Sequence, residues 1–184
     1  MVKLDNRLFV SNSGGLNYPV YDSTVTVIDM SNNEVIETFE TRINSSQMVV
    51  DAEGEIYLVS RGNYDDVDPA ILRIDADSYT VIETIDINAS SLNILGDWMY
   101  FYDGESEEIK RYNTLSETVG GTVLDVSDFQ TFYGFQLDVE NELLYAFDAK
   151  GYVNSSIIRV YSLMGEFQYE FTAALNAKKM IING

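Results

Sequence analysis

The feature that most constrains this chain is that it repeats itself. Val35-Ile36-Glu37-Thr38-Phe39 returns 46 residues later as Val81-Ile82-Glu83-Thr84-Ile85. At the same offset Val27-Ile28-Asp29 is answered by Arg73-Ile74-Asp75. The series continues more loosely through Arg111-Tyr112-Asn113 and Arg159-Val160-Tyr161, 38 and 48 residues further on. A second marker is an apolar-aromatic pair ahead of a polar loop: Leu8-Phe9, Ile56-Tyr57, Met99-Tyr100 and Leu144-Tyr145, at spacings of 48, 43 and 45. A unit of this length cannot bury its own hydrophobic face alone and must stack on its neighbours.

The content of each unit is β-structure. Thr24 to Ile28 is β-branched throughout, and Glu55 to Val59 and Ala70 to Ile74 are dense in strand formers. Turn residues separate them at Ser31-Asn32-Asn33, Ala52-Glu53-Gly54, Ala76-Asp77-Ser78, Glu140-Asn141-Glu142 and Met164-Gly165. No long stretch shows the helical period. The clearest unit predicts four strands: Gln47 to Val50 innermost, then Ile56 to Ser60, Ala70 to Ile74, and Val81 to Ile85 outermost. Four short strands in about 40 to 50 residues is the size of a propeller blade. The expected fold is therefore all-β, a β-propeller built from four blade repeats of four antiparallel strands, either a closed four-bladed ring or a fragment of a seven-bladed one. The chain reads as one propeller domain over 1–184, with blade units at about 44–86, 90–124 and 130–172. The remaining unit is split, 1–40 plus 177–184. Leu8 to Val10 aligns with a second strand, and Lys179-Met180-Ile181-Ile182 resembles a lone innermost strand that closes the ring. An unclosed ring would leave sheet edges that favour a homodimer.

Composition narrows the chemistry. With no cysteine and no histidine, disulfides, thiol catalysis, Ser-His mechanisms and the usual zinc ligand sets are excluded. Thirty acidic against 11 basic residues give a formal charge of −19, which repels phosphate backbones, so nucleic acid is not an expected partner. No apolar run approaches the roughly 20 residues of a membrane span. Met1-Val2-Lys3-Leu4-Asp5 leads directly into strand-like sequence without an apolar signal segment, so the chain is either cytosolic or lacks a leader removed beforehand.

Three stretches resemble a known family. Leu8-Phe9-Val10-Ser11-Asn12, Ser23-Thr24-Val25-Thr26-Val27-Ile28-Asp29 and Asn33-Glu34-Val35-Ile36-Glu37-Thr38 resemble the YVTN-type β-propeller repeat, and Asn44 to Asp51 is similar to its next inner strand. The likeness is strong in the first two units and weak in the last two. The loop style of Asn12 to Tyr18 and Arg61 to Asp66 resembles putative surface-layer lipoproteins of gut bacteria. That resemblance implies an extracellular or cell-surface protein that captures a small molecule, with a corrinoid of the vitamin B12 type as the candidate. It also implies an outer-membrane transporter as a protein partner. Family members usually have seven blades, where four are visible here.

The loops joining second to third strands share one face with the loops joining blade to blade. They are rich in aromatics and amides: Asn12 to Tyr21, Arg61 to Pro69, Asp103 to Glu108 and Asp148 to Ser155, with Asn44 to Ser46, Asn88 to Ser91 and Gln130 to Tyr133. The candidate ligand-binding residues are Asn12, Tyr18, Tyr21, Arg61, Asn63, Tyr64, Tyr102, Tyr133, Lys150 and Tyr152. Tyrosine combines apolar area with a hydroxyl at low entropic cost. Each of these residues also has a plain role as turn former or core cover. Asp65, Asp66 and Asp68 make an acidic loop without EF-hand spacing, so no metal site is assigned. Arg73, Arg111 and Arg159 occupy equivalent repeat positions, as an anion grip or as strand-surface residues. Gly14-Gly15 and Gly120-Gly121 lack the strand-to-helix setting of a phosphate cradle. Trp98, the single tryptophan, is expected between blades. No cofactor and no catalytic residue are assigned. The expected function is ligand binding without catalysis. A protein-interaction or surface-layer module is one alternative, and a carboxylate-dependent glycosidase or lyase is the other.

Overall fold

The computed structural model describes residues 1–180. Among them, sixteen strands form four antiparallel sheets, each an up-and-down meander of four. The first sheet holds β1 (Val2–Leu4), β2 (Arg7–Ser11), β3 (Thr24–Asp29) and β4 (Glu34–Glu40). The second holds β5 (Ser45–Val50), β6 (Ile56–Ser60), β7 (Ala70–Asp75) and β8 (Thr80–Ile85). The third holds β9 (Ala89–Leu95), β10 (Trp98–Asp103), β11 (Glu108–Asn113) and β12 (Thr118–Asp125). The fourth holds β13 (Phe132–Asp138), β14 (Leu143–Asp148), β15 (Ser155–Ser162) and β16 (Phe167–Leu175). The chain divides into two compact units, Met1–Asp97 and a second beginning at Trp98.

Each blade is closed by the same local device. Between third and fourth strands every sheet has a register shift at an equivalent place, at Val27/Ile28, Arg73/Ile74, Lys110/Tyr112 and Val160/Tyr161, and the third and fourth sheets carry a second at Ile109/Lys110 and Ser155/Ile157. Such bulges bend the strand and increase its right-handed twist. The third strand then ends on a side-chain oxygen that accepts backbone N–H groups of the turn. Asp29 accepts from Ser31, Asp75 from Asp77 and Ser78, Asn113 from Ser116, and Ser162 from Met164 and Glu166. A residue with positive φ completes the turn: Asn33 at 62°, Tyr79 at 57°, Glu117 at 54° and Gly165 at 81°. The sequence repeat is the record of this motif.

In the first unit the alternating side chains of β3 send Val25 and Val27 into a core with Phe9, Phe39, Met48, Ile56, Leu58, Leu72 and Ile74, drawn from both of its complete sheets. β6 is buried along its whole length, whereas β4 is exposed except at Phe39. That gradient marks β6 as central and β4 as the outer edge. β5 is flanked by β1 and β9, and the Gln47 amide reaches Leu92 to exchange hydrogen bonds with its backbone N–H and carbonyl. In the second unit Tyr145, Phe147, Ile158 and Val160 form a buried cluster covered by Tyr133, Ala177 and Met180.

The strands expected for the second sheet agree with β5 to β8 to within two residues at each end. The first sheet takes its own first strand from Val2–Leu4, paired with Arg7–Phe9, in the place the sequence reading kept for the C-terminal segment. Of that segment, Lys179 and Met180 lie outside regular strand, and Ile181 and Ile182 lie outside the described residues.

Trp98 finds a cationic partner within its own sheet. The Arg111 guanidinium lies 4.2 Å from its ring centroid. Gly120 on the neighbouring strand makes room for the pair: a Cβ there would stand 2.8 Å from Arg111 Cγ and 2.9 Å from Trp98. Gly120→Val therefore overpacks this stack and is expected to cost about 1–3 kcal/mol. Urea unfolding followed through the single tryptophan reads both the lost stability and the altered surroundings of its ring.

Candidate functional site

The first unit presents two long loops at the same end of its strands, 12–23 between β2 and β3 and 61–69 between β6 and β7. One buried residue, Asn44, ties them together. Its backbone N–H donates to the Asp22 carbonyl at 2.9 Å, its carbonyl accepts from Arg61 N–H at 3.2 Å, and its amide Nδ2 donates to the Gly62 carbonyl at 3.0 Å. Asn44 has φ of 58°, a conformation that asparagine tolerates better than most residues. The second loop closes on itself. Asn63 Oδ1 accepts from Asp65 N–H at 3.0 Å and Val67 N–H at 2.9 Å, and Nδ2 donates to Asp66 Oδ1 at 2.7 Å. Gly62, with φ of 64°, must be glycine, because a Cβ there would overlap the Val67 carbonyl.

These loops bring three tyrosines together. Tyr18 and Tyr21 have ring centroids 6.0 Å apart at 78°, and Tyr21 and Tyr64 are 6.3 Å apart at 67°. Tyr21 is half-buried, while Tyr18 and Tyr64 are 74% and 71% exposed. Burial pushes the Tyr21 phenol up from its ordinary value, and the facing phenols of Tyr18 and Tyr64 add to the shift. Leu16 and Val20, which were not among the expected residues, are large apolar side chains exposed on the same loop as Tyr18 and Tyr21.

The second unit builds a different arrangement. Tyr152 has φ of 63° and stands T-shaped to Tyr133 at 5.2 Å and 82°, while Lys178 Nζ lies 4.9 Å from the Tyr133 centroid. Asp148, fully buried, accepts from the backbone N–H groups of Gln130, Thr131 and Lys150 at 3.0–3.1 Å and from Lys150 Nζ at 2.9 Å. Burial alone would raise its carboxyl, but Lys150 and the backbone donors outweigh burial and hold it below the ordinary range.

The expected residues thus divide by role. Tyr18, Tyr21 and Tyr64 meet in one cluster, with Arg61 exposed on the loop that carries Tyr64. Tyr133 and Tyr152 meet in another. Asn12 is occupied, donating to the Thr24 and Thr26 hydroxyls, and Asn63 and Lys150 hold their own loops. Tyr102 is not a loop residue. The connection from β10 to β11 is a four-residue turn capped by Asp103, which leaves Tyr102 in the strand, 4.3 Å from Phe132. The three arginines are engaged at home. Arg73 binds both oxygens of Glu55, Arg111 stacks on Trp98, and Arg159 pairs with Asp128 at 2.7 Å over the Phe129 ring. Among the described residues no three carboxylates converge as a metal site requires.

At the opposite end of the first unit's strands lies an acidic groove of about 380 Å³, lined in part by Asp5, Arg7, Glu53, Glu55 and Asp77. Arg7 crosses it to the Ala76 carbonyl at 2.7 Å and Asp77 at 2.9 Å. Nearby, burial pushes the Asp51 carboxyl up, and that carboxyl accepts the Glu53 and Glu55 N–H groups of the β5–β6 turn.

No protein-family model matches this chain, and no curated protein matches it by sequence. Solved structures do match in fold. Hydrazine synthase of Kuenenia stuttgartiensis aligns with a TM-score of 0.71 at 16% identity, over 92% of this chain and 46% of that one. The WD40 domain of Neurospora crassa Pan2 gives 0.64 at 10% identity, over 95% and 51%. A chain of a mitotic checkpoint complex gives 0.59 at 16%, over 85% and 48%. This chain spans about half the length of those three. The likenesses show the fold: the four sheets are blades of β-propeller type.

Two substitutions test how the site is held. Asn44→Ala leaves the buried Gly62 carbonyl without its donor and puts alanine at positive φ, so a loss of about 1–3 kcal/mol in denaturant unfolding is expected. Asp148 contributes its stability above the unfolded carboxyl range and loses it as pH falls through its lowered value. Asp148→Asn is expected to lower Tm at pH 7 and to flatten the decline of Tm in acid.

Proposed function

We propose that this chain is a binding module that acts at the cell surface without catalysing a reaction, with the Tyr18–Tyr21–Tyr64 patch as its contact surface. The observation that carries this reading is the exposure of large rings on loops whose backbones are fixed. Tyr18 and Tyr64 stay more than two-thirds exposed, although their loops are tied by Asn44, Gly62 and Asn63. Aromatic side chains on preorganised loops lose little entropy on binding, and exposed apolar patches of this kind mark interaction sites.

A protein partner fits the patch better than a small molecule. Open surfaces gain affinity through aromatic anchors with a polar rim, whereas a small ligand buries most of its surface in a concave pocket. A similar blade arrangement also occurs in a multiprotein assembly, the mitotic checkpoint complex. The resemblance to surface-layer lipoproteins names an outer-membrane transporter as protein partner and a corrinoid as small-molecule ligand. Carboxylate chemistry has less support: Asp51 is committed to its turn, and its neighbour Glu55 is bound to Arg73.

The test begins with calorimetric titration of cyanocobalamin into the wild type and a Tyr18→Ser/Tyr64→Ser variant. One-site heat that disappears in the variant assigns corrinoid capture to this face. Without heat, a photo-crosslinking amino acid placed at position 64 on intact cells is expected to trap a protein, and Tyr21→Ser should abolish the adduct. The absence of both the heat and a Tyr21-dependent adduct overturns the proposal.

A further inference from the structure

Resting on that reading, we infer that the Tyr18–Tyr21–Tyr64 patch recognises a cationic side chain, a lysine ammonium carried by a basic segment of the partner protein. The second unit holds a lysine ammonium against the face of one tyrosine. In the second unit, Tyr152 sits at positive φ on the loop between second and third strands, as Tyr64 does in the first. Its perpendicular partner Tyr133 carries the ammonium of Lys178 4.9 Å from its centroid. The negative face of a phenol ring attracts a cation within about 6 Å of its centroid. Two perpendicular faces that share a cation at about 4.5 Å from each have centroids about 6.4 Å apart. The first unit's pairs, at 6.0 and 6.3 Å and 78° and 67°, match that spacing.

Charge points the same way. The tyrosine-bearing loops carry Asp22, Asp65, Asp66 and Asp68 against Arg61 alone. Asp22 follows Tyr21 directly, and Asp65 and Asp66 follow Tyr64. Arg42, on the adjoining crossover, donates through Nη2 to the Asp68 carbonyl at 2.9 Å. With −19 on the whole chain, a basic segment is drawn in and an acidic one repelled. The tyrosines then supply what net charge alone does not, a preference for the ammonium at one place.

The probe is a short lysine-containing peptide, compared with the same peptide acetylated at every lysine and with its glutamate counterpart, by fluorescence anisotropy on the full chain. The lysine peptide is expected to bind, to weaken about tenfold or more on acetylation, and to weaken as salt rises from about 20 to about 200 mM. Tyr64→Leu and Tyr18→Leu keep apolar area but remove the ring face, and each should weaken binding several-fold. Tyr18 has no left-handed backbone to disturb, so its variant answers if Tyr64→Leu perturbs its loop. Equal binding of lysine and acetyl-lysine peptides overturns the inference, as does lysine-peptide binding indifferent to both tyrosine variants. If the cyanocobalamin heat or the crosslinked adduct still depends on the tyrosines in that case, the contact surface stands and only its cationic preference falls.

Discussion

Everything in this chain hangs on how the third strand of each blade ends. That strand must twist and then stop within a few residues. The bulge before Ile28, Ile74, Tyr112 and Tyr161 supplies the twist, and the oxygen on Asp29, Asp75, Asn113 or Ser162 supplies the stop. A left-handed residue closes the turn and starts the outer strand in register. Because a slip of one residue would turn every side chain to the opposite face, this local chemistry decides which side of each blade is apolar. The buried Val25 and Val27 of β3 and the exposed β4 beside them follow from it.

The other end of the blades is organised by buried polar groups, and the two units solve the problem differently. In the first, Asn44 ties two loops, its backbone N–H donating to the Asp22 carbonyl and its neutral side-chain amide to the Gly62 carbonyl. In the second, the Asp148 carboxylate gathers three backbone donors and the Lys150 ammonium. A buried carboxylate is tolerated only when fully hydrogen-bonded, and satisfying it consumes Lys150.

The strands were legible in the sequence because β-branched runs and turn residues recur with the blade, and the repeat offsets placed β5 to β8 almost residue by residue. Site residues were less legible, for a physical reason. Asn12, Asn63 and Lys150 are side chains that bind either a ligand or their own loop, and only distance tells which. Tyr102 stands at the end of β10, directly ahead of the short turn that Asp103-Gly104 opens, and its ring packs against Phe132. Asn44 was recognised as a loop residue but not as the tie between loops, since its partners Asp22 and Gly62 are remote in sequence. The Lys178–Tyr133 contact spans 45 positions and leaves no local pattern. Tyr18, Tyr21 and Tyr64 meet because the loops that carry them leave the same end of the first unit's strands and are tied through Asn44.

A comparison of left-handed tyrosines carries the argument one step further. A non-glycine residue at positive φ costs on the order of 1–2 kcal/mol. Tyr79 offsets that cost within the fold: its ring lies 6.3 Å from Phe9 and 5.9 Å from Phe39, under the Arg7 guanidinium at 5.8 Å. Tyr64 takes the same backbone conformation with its ring 71% exposed, so burial returns little. Asparagine, aspartate or glycine would hold that loop with less strain. The fold therefore explains a tyrosine at 79 and does not explain one at 64. The contact that the ring at 64 does make is with Tyr21, and the proposed surface is built on that contact.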